Sequence, residues 1–166
     1  MAATATASNA MAQHELVITR TFDAPRALVF RAWARPEHMV RWLGPKNFSA
    51  SHCTMDFRVG GAYRACHRSP DGGERWAHGT YREIVEPERL AFTLSWEEEG
   101  ERGRENLITI TFGDLGEKTR MTFRQAFFET VKVRDAHQEG WNECLDRLAQ
   151  YVASPDRIAH LASNEE

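Results

Sequence analysis

The sequence predicts an α+β fold in which a curved antiparallel sheet of seven strands wraps one long C-terminal helix. Three observations carry this. The stretch Lys132–Ala153 places His137, Trp141, Cys144, Leu145, Leu148 and Val152 at helical steps of three and four, which marks one face of an amphipathic helix. Between Asn47 and Phe127 the apolar period falls to two, with turn signals at Val59-Gly60-Gly61, Pro70-Asp71-Gly72-Gly73 and Gly113–Glu117, the pattern of consecutive strands joined by short connections. A strand and two short helices precede this run. A twisted sheet of that size curls, and a long helix in its concave face buries both apolar surfaces.

Taken in order, His14–Phe22 alternates as a strand, with Leu16 and Ile18 on one side. Asp23 is a helix N-cap candidate with Pro25 in the first turn. Pro25–Ala34 presents Val29, Phe30 and Trp33 on one face; Pro36 restarts a second helix, Glu37–Leu43, with Met39 and Trp42 apolar, and Gly44-Pro45 stops it. Strands are expected over Phe48–Phe57, Tyr63–Arg68, Arg75–Val85, Leu90–Trp96, Leu107–Phe112 and Thr119–Phe127. The parity of Arg75–Val85 is unresolved, because Trp76, His78 and Ile84 share a face with Arg82; a bulge near Gly79 would reset it. Gly140, inside the long helix, costs about 1 kcal/mol against Ala. Either another backbone or a bound molecule approaches there, or the glycine is neutral beside Trp141.

The chain has 166 residues and a net charge of −3, enough for one domain and unsuited to nucleic acid, which favours a basic face. Residues 1–12 read as a disordered tail, 13–153 as the domain and 154–166 as a second tail. No apolar run reaches the length of a membrane span. The N-terminus has no apolar signal core, and three cysteines without paired spacing suggest reduced thiols in a cytoplasm.

No metal site is expected. Cys53 neighbours His52 and Cys66 neighbours His67, and neighbours on a strand point to opposite faces. No nucleotide or nucleophile-elbow motif is present. Cys144 lies seven residues after His137, about 10 Å along a helix, so packing suits it better than catalysis.

RPEHMVRWLGP (35–45), DFRVGG (56–61), Asp71-Gly72 before Gly79, EPERL (86–90), and Gly140-Trp141 followed by Leu145 and Leu148 together resemble the START-like, helix-grip (SRPBCC) superfamily. The similarity lies within the branch of the activator of the 90-kDa heat-shock chaperone ATPase and covers roughly Glu15–Ala153. It implies the helix-grip fold and a space between helix and sheet. In that space the expected ligand-binding residues are Trp33, Trp42, Tyr63, His67, Trp96, Phe123, His137 and Trp141, around a small apolar or aromatic molecule with no cofactor. A carrier or sensor is the leading reading, leaning away from an enzyme. An enzyme of cyclase or hydrolase type is the second. A protein-interaction module or co-chaperone in a stress response is the third, although the N-terminal extension is too short for the separate domain of the eukaryotic activator. A homodimer stays open. Asp56 is expected either to take turn amides or to pair with Arg58.

Overall fold

The structure is a computed structural model that describes residues 14–44, 47–98 and 103–154. The two expected tails fall outside these residues, apart from Ser154. The elements are β1 (Leu16–Phe22), α1 (Arg26–Ala34), α2 (Pro36–Trp42), β2 (Ser49–Met55), β3 (Ala62–Arg68), β4 (Glu74–Val85), β5 (Arg89–Trp96), β6 (Asn106–Asp114), β7 (Thr119–Ala126) and α3 (Val131–Ala153). One antiparallel sheet of seven strands runs β1-β7-β6-β5-β4-β3-β2. Strands β2 to β7 form the expected meander, and β1 adds to its far edge along β7, from Leu16 opposite Gln125 to Phe22 opposite Thr119.

Helix α3 is the grip. Thr130 caps it, its side chain accepting from the Val133 amide at 3.3 Å, which satisfies one of the amide protons a helix start leaves free. His137, Trp141, Cys144, Leu145, Leu148 and Val152 are all buried as the periodicity requires. Tyr151 joins them, buried, with its hydroxyl 2.8 Å from His38 Nδ1 on α2. Each large side chain of this stripe contributes roughly 1.5–3 kcal/mol by leaving water. Polar contacts fix the helix at both sides of the sheet. Arg20 on β1 reaches Asp146 Oδ1 at 2.5 Å and the Asn142 carbonyl at 3.0 Å. Arg147 donates to the Gly44 and Phe48 carbonyls at 3.1 and 3.0 Å.

Asp23 does not cap α1. Pro25 occupies the N-cap position with φ −61° and ψ 150° and no side-chain cap bond. Its extended ψ starts the helix at Arg26, and its carbonyl receives the Leu28 and Val29 amides. Arg58 Nε donates to Asp56 Oδ2 at 2.8 Å, the pairing expected as one of two alternatives. The turn they begin is tied to β4, since the Gly60 amide donates to the Tyr81 carbonyl and the Tyr81 amide to the Gly61 carbonyl. A Cβ on Gly61 would lie 2.0 Å from the Asp56 carbonyl oxygen, so the second glycine of this turn is sterically required.

The bulge in β4 lies later than expected. The register with β5 shifts between Tyr81 and Glu83. Ahead of it Ala77, Gly79 and Tyr81 are buried, whereas Trp76 is partly exposed and His78 exposed. Tyr63, opposite Gly79 on β3, passes over it and donates its hydroxyl to the Thr93 carbonyl at 2.5 Å. The Thr80 amide turns to Thr93 Oγ1 at 2.9 Å. A Cβ at Gly79 would sit 1.9 Å from the Thr93 carbonyl oxygen and 2.7 Å from Tyr63 Cε1. Gly79→Ala is therefore expected to destabilise the protein by about 1–3 kcal/mol. Urea melting of the variant beside the parent measures this, and an unchanged midpoint would show that Tyr63 can leave its place at no cost.

Candidate functional site: an apolar cavity under the long helix

The concave face is not filled. A cavity of about 330 Å³ lies between α3 and strands β2 to β5, closed at one side by α1 and α2. Six of the eight residues expected there line it: Trp33, Tyr63, His67, Trp96, His137 and Trp141. Trp42 and Phe123 do not line it. Both are fully buried behind its wall. Trp42 packs edge-on against Trp33, ring centres 4.6 Å apart, and donates Nε1 to the Ala32 carbonyl at 3.0 Å. Phe123 lies 4.6 Å from the Trp141 ring. They belong to the layer that supports the lining, because helix α2 and strand β7 each hold an inward residue one layer deeper than the alternation alone reveals.

Tyr81, Arg75 and Leu94 line the cavity and were not foreseen. Tyr81 and Arg75 share the inward parity of β4 before its bulge, which the sequence left undecided. Leu94 was legible as one of the alternating inward residues of β5. Gly140 also lines it, and so does Cys144, for which core packing was expected.

The aromatic lining is held by its polar edges. Trp141 stacks at 6.0 Å on Trp33 and donates Nε1 to Gln125 Oε1 at 2.9 Å. Gln125 passes on to Asn106 at 3.4 Å, so the indole's proton is satisfied without water, as burial of an N–H demands. Trp96 Nε1 donates to His137 Nε2 at 3.0 Å, joining β5 to α3. His137 Nδ1 lies 3.0 Å from the Val133 carbonyl. These two contacts assign the tautomer: Nε2 accepts, so Nδ1 carries the proton and donates. Both ring nitrogens are used structurally, and His137 is not placed as a base for Cys144.

The Cys53 and Cys144 thiols are held protonated. Burial pushes Cys53 up to about 11. Burial also pushes Cys144 up to about 12, against a smaller lowering from the Gly44 backbone and Arg147. A thiol so raised is a weak nucleophile at neutral pH. Tyr63 is raised well above its ordinary value, first by burial and then by Tyr81 and Cys53. His67 is lowered to about 4, first by burial and then by the charge of Arg75. Among the described residues no three His, Cys, Asp or Glu side chains converge as a metal site would require. The neighbours His52 and Cys53 part as strand geometry demands: Cys53 lines the cavity, while His52 meets the outward Trp76 ring at 5.9 Å.

A curved antiparallel sheet gripping a long helix over an apolar cavity defines the helix-grip, START-like class of α+β domain. Within that class the chain belongs to the family described as "Activator of Hsp90 ATPase homolog 1-like protein", whose sequence model matches residues 23–153. The chain is similar to a solved protein of Chromobacterium violaceum, at 27% identity and a TM-score of 0.75, over 85% of this chain and 99% of that one. A Rhizobium leguminosarum protein is 30% identical with a TM-score of 0.66, over 84% and 93%. A Nitrosomonas europaea protein, at 24% identity and a TM-score of 0.72 over 92% and 98%, shares the fold. No curated protein matches the chain.

The lowered His67 makes stability depend on pH. Above about pH 6.5 its ring is neutral whether the chain is folded or unfolded. As pH falls below 6.5, the unfolded chain gains a proton that the folded one refuses until about pH 4. Stability is therefore present above this window and lost through it, by about 3 kcal/mol at most. Urea melts of the parent and His67→Asn at pH 7 and pH 4.5 test this. The parent is expected to lose more between the two than the variant, and parallel losses would show that His67 charges freely.

Proposed function

We infer that the protein binds a small apolar or aromatic molecule between α3 and the sheet, as a carrier or sensor. The carrying observation is the cavity itself: about 330 Å³ of space with mainly aromatic and aliphatic walls, within the size range of small-molecule sites. It lies in a domain whose remaining core is closely filled, with Phe22, Phe30, Phe112 and Leu145 fully enclosed. Larger side chains at Gly140 or Ala77 would close much of it. The protonated thiols and the committed His137 favour reversible binding over covalent chemistry. The family's description names activation of a chaperone ATPase, an activity that works through a protein surface, and the cavity supports ligand binding.

Native mass spectrometry of freshly purified protein is expected to retain a small-molecule adduct. The neutral fluorescent probe N-phenyl-1-naphthylamine is expected to compete for the same space. Gly140→Leu is expected to abolish probe binding while leaving stability within about 1 kcal/mol, since a filled wall gains helix propensity. A parent that carries no adduct and binds no probe would remove this reading.

A further inference from the structure

The polar groups on the cavity are unequal in what they leave free. Its donors are mostly committed: Tyr63 to the Thr93 carbonyl at 2.5 Å, Trp96 to His137 at 3.0 Å and Trp141 to Gln125 at 2.9 Å. Trp33 Nε1 has no partner, but its indole is enclosed by the rings of Trp42, Phe92, Phe123 and Trp141. Arg75, the cation of the wall, is paired with Glu98 at 3.1 Å and lies over the Trp96 ring. His67 lines the cavity at 7% exposure, but its unpartnered Nδ1 is enclosed, as Trp33 Nε1 is. One acceptor is in the opposite condition. Glu139, exposed on α3 at the cavity's mouth, has no hydrogen-bond or ion-pair partner among the described residues. Glu143 lines the same mouth one helical turn on.

Resting on the ligand-binding reading above, we propose that the cavity takes an aromatic molecule with a protonated amine, its ring against Trp141 and its ammonium at the mouth facing Glu139. Glu139 supplies the counter-charge. Among the described residues the Arg75–Glu98 pair leaves no uncommitted cation on the wall for a carboxylate, so the site discriminates by charge at its mouth and by shape within.

Three probes of one size separate the possibilities: 1-naphthylmethylammonium, 1-naphthalenemethanol and 1-naphthoate, each titrated at low salt into the parent and Glu139→Gln. The ammonium is expected to bind about fivefold tighter than the alcohol, the scale of a partly exposed ion pair. Glu139→Gln is expected to bring the two level by weakening the ammonium alone. Tightest binding by the naphthoate would overturn the proposal in favour of Arg75. Equal binding of all three, or an ammonium preference that survives Glu139→Gln, would overturn it and leave the ligand-binding reading standing. Failure of all three to bind would remove both.

Discussion

The buried face of α3, from His137 to Val152, has to leave water, and the concave side of the sheet is the surface that receives it. Everything else is arranged around that contact. The sheet needs seven strands to curl far enough, and the first strand returns to pair with the last, placing Arg20 beside Asp146 and Asn142 on the helix. The short helices α1 and α2 cover the remaining opening, where Trp33 stacks on Trp141 and His38 meets Tyr151. A straight helix laid in a curved sheet touches it along a line, so the space to one side stays open unless large side chains fill it. Gly140 and Ala77, on opposite walls, leave it open.

That space survives because its polar edges are satisfied from behind. Gln125 and Asn106 are buried polar residues of the kind that costs stability when unpaired. Here they form a chain from Trp141 to the Ala126 carbonyl. Tyr63 repairs the gap in the β4–β5 ladder that Gly79 and Thr93 leave. The indoles and the phenol thus turn apolar faces toward the cavity and hydrogen-bonding ends into the wall, the use to which amphipathic aromatics are suited. The result is a surface with little to offer a polar molecule except at its mouth.

The site was partly legible before the fold was known. His137 and Trp141 are one helical turn apart and had to face the same way, and Tyr63 and His67 share the parity of one strand. Trp42 and Phe123 satisfy the same rules yet sit behind the lining, because periodicity gives the direction of a side chain and not the depth at which its element packs. Arg75 and Tyr81 were hidden by a bulge between Tyr81 and Glu83 that Gly79 seemed to mark. The glycine answers to Tyr63 on the neighbouring strand, a contact remote in sequence.

What the sequence determined by itself was the class of the fold. The change from a helical to a strand period, the turn residues and the apolar stripe of α3 are local facts, each fixed by backbone geometry within a few residues. The tertiary structure alone decided which inward residues border empty space, how the two nitrogens of His137 are used, and which polar groups keep an unused lone pair. These depend on distances between segments far apart in the chain, such as the 3.0 Å between Trp96 and His137. A pattern read along one strand or helix carries no measure of them.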